Sequence, residues 1–340
     1  MRRRFAALTV ALGLSAVVVA AAAVSGSAAP RRTSDTKLSL VAYSTPRAAY
    51  GQLVPAFQKT PEGDGVSFTQ SYGASGDQAR AVKAGLEADI VALSLAPDVD
   101  DLVKAGLVDA KWKKQSYGGM VTDSVVVFVV RDGNPKKITS WNDLLRKDLD
   151  VITPNPFTSG GARWNVMAAY GAWRKAGKTD KQAQANLLKL FQNVSVQDTS
   201  ARNALNTFVG GKGDVFLAYE NEALFARTQG LDLQFVIPKA TILIENPIAV
   251  IKTSPDKEKA NQFLRYLRTP AAQQIFADNG YRPVVKSVLE RNRKKFPVRP
   301  GQFTIDQLGL GGWDKVQKRF FDPKRGIMAR IESRVGGVTG

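Results

Sequence analysis

Short apolar runs alternate with amphipathic helical patterns along this chain from residue 38 onward. The apolar runs are rich in β-branched residues and are bounded by turn residues, which predicts strands. Short strands separated by helices favour parallel pairing, so the pattern indicates an α/β fold. The predicted strands are Leu38–Tyr43, Val66–Gln70, Asp89–Leu95, Ser124–Val130, Leu149–Thr153, Val194–Gln197, Val215–Ala218, Gln234–Pro238 and Ile248–Ile251.

The helical patterns predict which helix faces are buried. The apolar face of the first helix consists of Tyr50, Leu53, Val54 and Phe57, and that of the second consists of Ala79, Val82 and Leu86. Thr45 and Ser140 precede helical patterns and are interpreted as N-caps, with Asp143 completing an approximate capping box at Ser140. Further helices are predicted at Val99–Lys104, Ala162–Ala176, Asp256–Arg268 and Pro270–Ala277.

The N-terminal segment is typical of an export signal. A basic start is followed by an apolar run and by small residues that end at Ala29. We therefore predict an export signal at residues 1–29, a polar linker at 30–36, and a location in the periplasm or cell envelope. The segment fits both a general signal and a twin-arginine signal, and both a cleaved and a retained one.

The length of 340 residues is sufficient for two domains of ordinary size. The strand–helix units fall into two sets, and two lobes are the simplest arrangement of them. We predict lobe I at residues 37–120 and 240–300, lobe II at 121–239, and a C-terminal helical tail at 301–340. The chain then crosses between the lobes near residues 120–122 and 238–241.

The chain contains neither cysteine nor histidine. It therefore has no disulfide framework, no cysteine for a lipid anchor, and none of the usual zinc or copper ligands. Histidine-based acid–base and triad chemistry is excluded as well. We expect no cofactor, no metal site and no catalytic residue. The alternative is a secreted enzyme whose acid–base groups are Glu220 and Glu222, or the cluster Asp98, Asp100 and Asp101.

The formal charge of +18 includes the three arginines at the N-terminus, and the remaining chain is still strongly basic. A polyanion-binding surface is one explanation. We favour a solvated surface instead, because the basic clusters at residues 111–114 and 291–295 are separate and no nucleic-acid motif accompanies them.

Three predicted strand-to-helix turns share the same chemistry, namely small residues, a hydroxyl group and free N–H groups. They are residues 73–76 (GASG), 158–161 (TSGG) and 198–201 (DTSA). Helix N-termini attract anions, and glycines let a ligand approach the backbone. In open α/β sheets, ligands bind beyond the carboxyl ends of strands, so the three turns could converge on one anion.

Longer stretches around these turns resemble the bacterial sulfate-binding proteins, the exported receptor subunits of sulfate and thiosulfate ABC importers. The resemblance runs in order from about residue 38 to residue 313, and NPFTSGGAR at 155–163 is its most specific part. It also includes SYGASGDQARAVKAG at 71–85, GDVFLAYENEA at 213–223 and YRP at 281–283. It implies a two-lobed, type II periplasmic-binding-protein fold, each lobe a mixed sheet flanked by helices, with the ligand in the cleft.

The resemblance also implies a ligand, partners and contact residues. Sulfate would be held without its water shell by backbone N–H groups, hydroxyls and, in the family, an indole N–H. The partners would be a membrane permease and a cytoplasmic ATPase; we expect a monomer and no nucleic acid. Matched residue by residue, the predicted donors are Ser75, Ser159, Gly160, Gly161 and Ala201, with Tyr219 at the position of the indole.

Two residues depart from the family pattern. Tyr219 replaces a donor-only indole with a phenol that can also accept a hydrogen bond, which could relax the rejection of protonated anions such as hydrogen phosphate. Asp77 stands where relatives often have a basic residue; it could accept a proton from such an anion, or simply face water. Thiosulfate, phosphate and other tetrahedral oxyanions therefore remain alternative ligands.

Arg163 and Arg202 closely follow predicted donors, yet the resemblance implies that neither touches the anion. We expect both to lie behind the turns, hydrogen-bonded to carbonyls or to acids such as Asp198, where they order the loops.

Overall fold

The computed structural model of the protein describes residues 36–339. The predicted export signal and all but the last residue of the predicted linker lie outside this range. Within it, no helix combines the length and the apolar character needed to cross a bilayer.

Ten strands and twelve α-helices are found between residues 36 and 339. The strands are β1 (Thr36–Tyr43), β2 (Val66–Gly73), β3 (Ile90–Ala92), β4 (Met120–Arg131), β5 (Val151–Pro154), β6 (Val194–Asp198), β7 (Val215–Tyr219), β8 (Leu233–Val236), β9 (Leu243–Val250) and β10 (Arg282–Pro283). The helices are α1 (Arg47–Gln58), α2 (Ser75–Lys83), α3 (Ala96–Lys104), α4 (Gly160–Lys175), α5 (Asp180–Gln192), α6 (Ala201–Val209), α7 (Glu220–Thr228), α8 (Lys257–Leu267), α9 (Pro270–Asp278), α10 (Lys286–Arg291), α11 (Gly312–Phe320) and α12 (Ile327–Val335).

The strands form one mixed sheet in the order β2-β1-β3-β9-β4-β7-β5-β6, and β8 and β10 also pair with β4. Strand β1 is parallel to β2 and β3, and β5 is parallel to β6 and β7. The predicted α/β class is confirmed. The expectation of parallel pairing holds only at these two ends, because β4 and β9 run antiparallel to their neighbours.

Strand β4 joins the two ends of the sheet. Its first part, up to Val125, pairs with β9, and its second part, Val126–Val130, pairs with β7. We call β1–β3 with α1–α3 the first half, and β5–β7 with α4–α7 the second half. The lobe boundaries proposed from the sequence stay a prediction.

Helix α1 buries the predicted face of Tyr50, Leu53, Val54 and Phe57. In α2, Ala79 and Val82 are buried as predicted, but Leu86 is 40% exposed. The prediction for Leu86 is wrong because α2 ends at Lys83, so the helical spacing no longer applies there.

Both predicted caps need correction. The Thr45 hydroxyl lies 2.8 Å from that of Tyr281, and α1 begins only at Arg47. At Ser140 the capping group is the Asp143 carboxylate, not the Ser140 hydroxyl. This carboxylate accepts the Ser140 N–H at 2.8 Å. The helix that follows is a short 3₁₀ turn, Asp143–Leu145.

Helix α5 was not predicted, although its sequence carries a start signal. Thr179 and Gln182 form a complete capping box, each side chain accepting a backbone N–H of the other residue. The helix packs on α4 and α12, and its buried face includes Leu187, Leu190 and Phe191.

Asp123 of β4 lies at the crossing between the halves, opposite Glu245 of β9 and Arg282 of β10. Burial raises the pKa of Asp123 from 3.8 to about 8. The charge of Glu245 adds to this rise, and that of Arg282 opposes it. The folded protein thus keeps this proton at pH values where the unfolded chain has lost it. The contribution to stability is complete below about pH 4 and is lost as the pH rises towards 8.

We expect the Asp123→Asn variant to lose less stability than the wild type between pH 5 and pH 8, because its amide does not ionise. Urea unfolding at several pH values measures this. Parallel pH profiles for the two proteins would contradict it.

Candidate functional site

A small cavity lies where the carboxyl ends of strands from both halves meet. Residues from both halves of the molecule line this cavity. Its lining contains no charged residue and consists of Tyr43, Ser44, Ala74, Ser75, Ser94, Ser159, Gly160, Gly161, Ala201 and Tyr219.

Four helices begin at this cavity. The first residue of α2 is Ser75, that of α4 is Gly160 and that of α6 is Ala201, while Tyr219 directly precedes α7. A helix N-terminus carries about half a positive charge and unsatisfied N–H groups. The arrangement therefore concentrates positive potential in the cavity without a cationic side chain.

Several backbone donors at the cavity are free. The N–H groups of Ser75, Gly160, Gly161 and Ala201 donate to no group within residues 36–339. Buried N–H groups normally find an acceptor, and a missing one marks a place for a ligand or water. Ser159 N–H is different, since it donates to the Asn155 carbonyl at 2.9 Å within the turn.

Three hydroxyls of the lining are buried without a hydrogen-bond partner among the described residues: those of Tyr43, Ser94 and Tyr219. Burial raises the pKa of Tyr219 well above its ordinary value, so the phenol keeps its proton. The Ser94 hydroxyl is close enough to oppose part of this rise, but the two groups do not reach hydrogen-bond geometry. Both remain able to donate to a third group.

Ser75 has its hydroxyl engaged in the protein. The hydroxyl donates to Asp98 at 2.5 Å and accepts the Ser94 N–H at 2.9 Å. The donor that Ser75 offers to the cavity is therefore its backbone N–H. This orientation could not be deduced from the sequence, because Asp98 belongs to α3, a different helix.

The two glycines of the turn serve the site in different ways. A Cβ at Gly160 would collide with Ser94 and Leu95, so only glycine lets the turn approach the first half this closely. A Cβ at Gly161 would lie 3.3 Å from the Ser159 hydroxyl and 3.6 Å from the Tyr219 ring, within the cavity. Glycine at 161 keeps this space open.

The halves also contact each other directly beside the cavity. Gly76 N–H of α2 donates to the Thr158 carbonyl at 3.1 Å. The indole N–H of Trp164 in α4 donates to the Ser94 carbonyl at 2.8 Å. These contacts describe a closed arrangement of the two halves around the lining.

The arginines lie behind the turns. Arg163 donates to the Pro156 carbonyl at 2.8 Å and lies 3.5 Å from Asp98. Arg202 forms a two-point ion pair with Glu222 at 2.7 and 2.9 Å. Neither arginine lines the cavity. Each instead orders a loop from which a free N–H group points inward.

Asp198 does not have the predicted role. Its carboxylate accepts a hydrogen bond from Thr207 at 3.1 Å and pairs with neither arginine. The acids that do so are Asp98 and Glu222, which the topology brings in from other elements.

Of the two roles considered for Asp77, the structure agrees with the one in which the residue faces water. Asp77 is exposed and ion-paired with Arg80, and it does not line the cavity. It occupies the first turn of α2, where an acid favours the helix dipole and faces water.

The carboxylates considered for catalysis are engaged in structural contacts. Glu220 is fully buried and paired with Arg282 at 2.7 and 3.0 Å. Asp100 accepts from the Trp112 indole, and Asp101 from Lys104. Burial raises the pKa of Asp98, while Arg163 and the Ser75 hydroxyl oppose this rise. None of these groups faces a shared open cleft in the described chain.

The structure brings all six predicted contact residues to the same cavity: Ser75, Ser159, Gly160, Gly161, Ala201 and Tyr219. Tyr43, Ser44 and Ser94 also line the cavity and were not predicted, whereas Ala74 lies in the predicted turn at 73–76. Tyr43 and Ser94 lie near the ends of predicted strands, and this position was the signal that could have identified them.

Comparisons with known proteins agree with this geometry. Residues 38–282 match the family model of the bacterial extracellular solute-binding proteins. The chain belongs to this family. Among its relatives is the sulfate-binding protein of Synechocystis, 41% identical over 309 residues that cover 88% of this chain and 87% of the relative. A thiosulfate-binding protein of Pseudomonas aeruginosa is 35% identical over 293 residues, which cover 83% of this chain and 88% of that protein.

A solved structure extends the likeness to the whole fold. The sulfate-binding protein SubI from Mycobacterium tuberculosis superposes with a TM-score of 0.82 at 42% identity, covering 84% of this chain and 100% of SubI. The resemblance inferred from the sequence motifs is thereby confirmed, as is the two-lobed binding-protein fold. Proteins of this kind are solute receptors.

We expect the Glu220→Gln variant to lose about 3 kcal/mol of stability or more, because it leaves the buried Arg282 without its charge partner. Urea unfolding measures this loss. Glu258→Gln is the control, since the Glu258–Arg265 pair is exposed and its removal should change stability little. Equal, small effects in both variants would refute the structural role of Glu220.

Proposed function

We propose that this protein is the extracytoplasmic sulfate receptor of an ABC importer. It takes up sulfate without its water shell and delivers it to a membrane permease whose cytoplasmic ATPase drives transport. It acts as a binding protein, not as an enzyme. The proposed contacts are the N–H groups of Ser75, Gly160, Gly161 and Ala201 and the hydroxyls of Ser159 and Tyr219.

One observation carries this proposal: free N–H groups and helix N-termini from both halves converge on a cavity that no cationic side chain lines. A permanent dianion suits such a place, since every lining donor can point to an oxygen. Exclusion of water strengthens each contact because the local dielectric constant falls. The relatives named above as sulfate-binding proteins support the same ligand.

Hydrogen phosphate is a weaker candidate, since its proton needs an acceptor in the cavity. Leaving a buried polar group unpaired costs about 1–3 kcal/mol, which corresponds to binding weaker by about 5- to 150-fold. The unpartnered hydroxyls of Tyr43, Ser94 and Tyr219 are the lining groups that could accept it. Thiosulfate is the closer alternative, because it is also a tetrahedral dianion and because one relative is named for it.

The family of extracellular solute-binding proteins and the N-terminal segment support an exported receptor. Lobe closure around the ligand is a hinge motion, and β4 and β9, which connect the halves, are the elements that would bend.

Isothermal titration of the purified protein with sulfate, thiosulfate, phosphate and molybdate tests the proposal. We expect sulfate to bind with a Kd well below about 1 mM and phosphate at least about fivefold more weakly. Binding of none of the four would refute the function, and a preference for thiosulfate would reassign the ligand.

The Gly161→Ala variant tests the location of the ligand. Its methyl group would occupy the cavity, so we expect sulfate affinity to fall at least about tenfold with little change in stability. Gly51→Ala is the matched control, because a Cβ there meets no atom within 4 Å. It should keep full affinity and gain about 0.5–1 kcal/mol of helix stability. Wild-type affinity in Gly161→Ala would place the anion elsewhere.

A further inference from the structure

The C-terminal segment, residues 301–338, contacts both halves of the molecule. Its start pairs with β9, since Leu243 N–H donates to the Phe303 carbonyl at 2.7 Å. Helix α11 then contacts α3 of the first half, and α12 contacts α5, which packs beside α4 of the second half. Besides β4 and β9, this segment is a further link between the halves.

The segment is firmly attached to the second half. Phe320 is fully buried and packs edge-on against Tyr170 of α4, with the two ring centroids 4.8 Å apart. Arg319 pairs with Asp180 at 2.6 Å. Near its end, the Val338 carbonyl accepts the Asn155 side chain at 2.8 Å, and Asn155 itself begins the turn that leads to Ser159 and Gly160.

The contact of the C-terminal segment with the first half is more open and includes many charged residues. A groove of about 220 Å³ separates α3 from α11, and charged residues of both helices line it, among them Asp101, Lys104, Asp314 and Lys318. Such an open, charged boundary separates more easily than a packed core. An apolar contact is made by Trp313 of α11, which is partly buried against the core cluster of α2 and α3.

Trp313 also contacts the residue that connects the halves at the cavity. Its ring lies 4.8 Å from that of Trp164, at an angle of 87°. Trp164 is fully buried and donates its indole N–H to the Ser94 carbonyl. An edge-to-face aromatic pair stabilises a structure by more than the burial of its apolar area, and it fixes the orientation of the rings. Trp313 therefore holds Trp164 in the position that reaches across to Ser94.

We propose that α11 is a brace for the closed form, attached to the second half and releasable from the first, with Trp313 as its positioning residue. The brace slows the opening of the halves and thereby sets how long the anion stays bound. The statement about the anion rests on the proposed sulfate function, whereas the statement about closure does not.

Release of labelled sulfate into excess unlabelled sulfate tests the brace. We expect Trp313→Ala to release the anion roughly three- to tenfold faster with an almost unchanged association rate. Trp313→Phe should restore most of the wild-type rate, because it keeps the aromatic contact. Tyr117→Ala, which removes an exposed aromatic ring that is not part of the brace, is the control and should release at the wild-type rate.

A second variant avoids any change in packing. Lys318 is exposed and shares the groove with Asp101, so Lys318→Asp places like charges on the two sides. We expect faster release at low salt and recovery of the wild-type rate at high salt, since the repulsion is screened. Wild-type release rates in both Trp313→Ala and Lys318→Asp would overturn the proposal, as would a loss of thermal stability in Trp313→Ala without faster release.

Small-angle X-ray scattering of the anion-free proteins provides a reading independent of the ligand. We expect a larger radius of gyration for Trp313→Ala than for the wild type and the Tyr117→Ala control. If the wild type binds no sulfate, the proposed sulfate function is refuted, and scattering alone tests the brace. Equal radii of gyration for the wild type and Trp313→Ala would then overturn the brace proposal.

Discussion

The structure depends on one constraint: backbone N–H groups at helix N-termini have no partner inside their own helix. At some helix ends a side chain accepts one of these N–H groups, as Thr179 does for α5, Ser200 for α6 and Thr269 for α9. At α2, α4 and α7 no side chain caps the first turn. The topology instead directs these ends, with that of α6, towards a single cavity, where their unmet donors form the proposed binding site.

This constraint explains the distribution of charge. A cationic side chain in the cavity would bind anions of many shapes, whereas fixed N–H groups require oxygens in particular directions. The basic residues nearest the cavity, Arg163 and Arg202, are used one layer further out and paired with Asp98 and Glu222. Their charges are thus largely neutralised locally, while their planar donors hold the loops. The positive charge of the protein as a whole is a separate property of its surface.

Local features of the site could be predicted from the sequence, and features that depend on remote contacts could not. The turn at Ser159–Gly161 was recognisable because its glycines and hydroxyl sit between a strand and a helix that are adjacent in the chain. The hydroxyl of Ser75 was not, since its direction is set by Asp98, 23 residues further on. The role expected for Asp198 failed for the same reason: the partners of the arginines come from other elements.

The fold shows the same division. Apolar faces such as that of α1 follow from helical spacing alone, whereas the pairing of β4 with four other strands requires knowledge of the whole topology. Leu86 was misassigned because a periodic pattern does not state where its helix ends.

The use of backbone donors from two halves couples binding to shape. Ser75 and Ser94 belong to the first half, and Gly161, Ala201 and Tyr219 to the second, so neither half alone presents a complete set. In the proposed function the anion draws both sets together. The contacts beside the cavity, such as Gly76 with Thr158 and Trp164 with Ser94, need no part of the ligand. These contacts stabilise the closed form for any anion that fits. Selectivity must therefore come from the few donors inside the cavity, and the residence time from the contacts outside it.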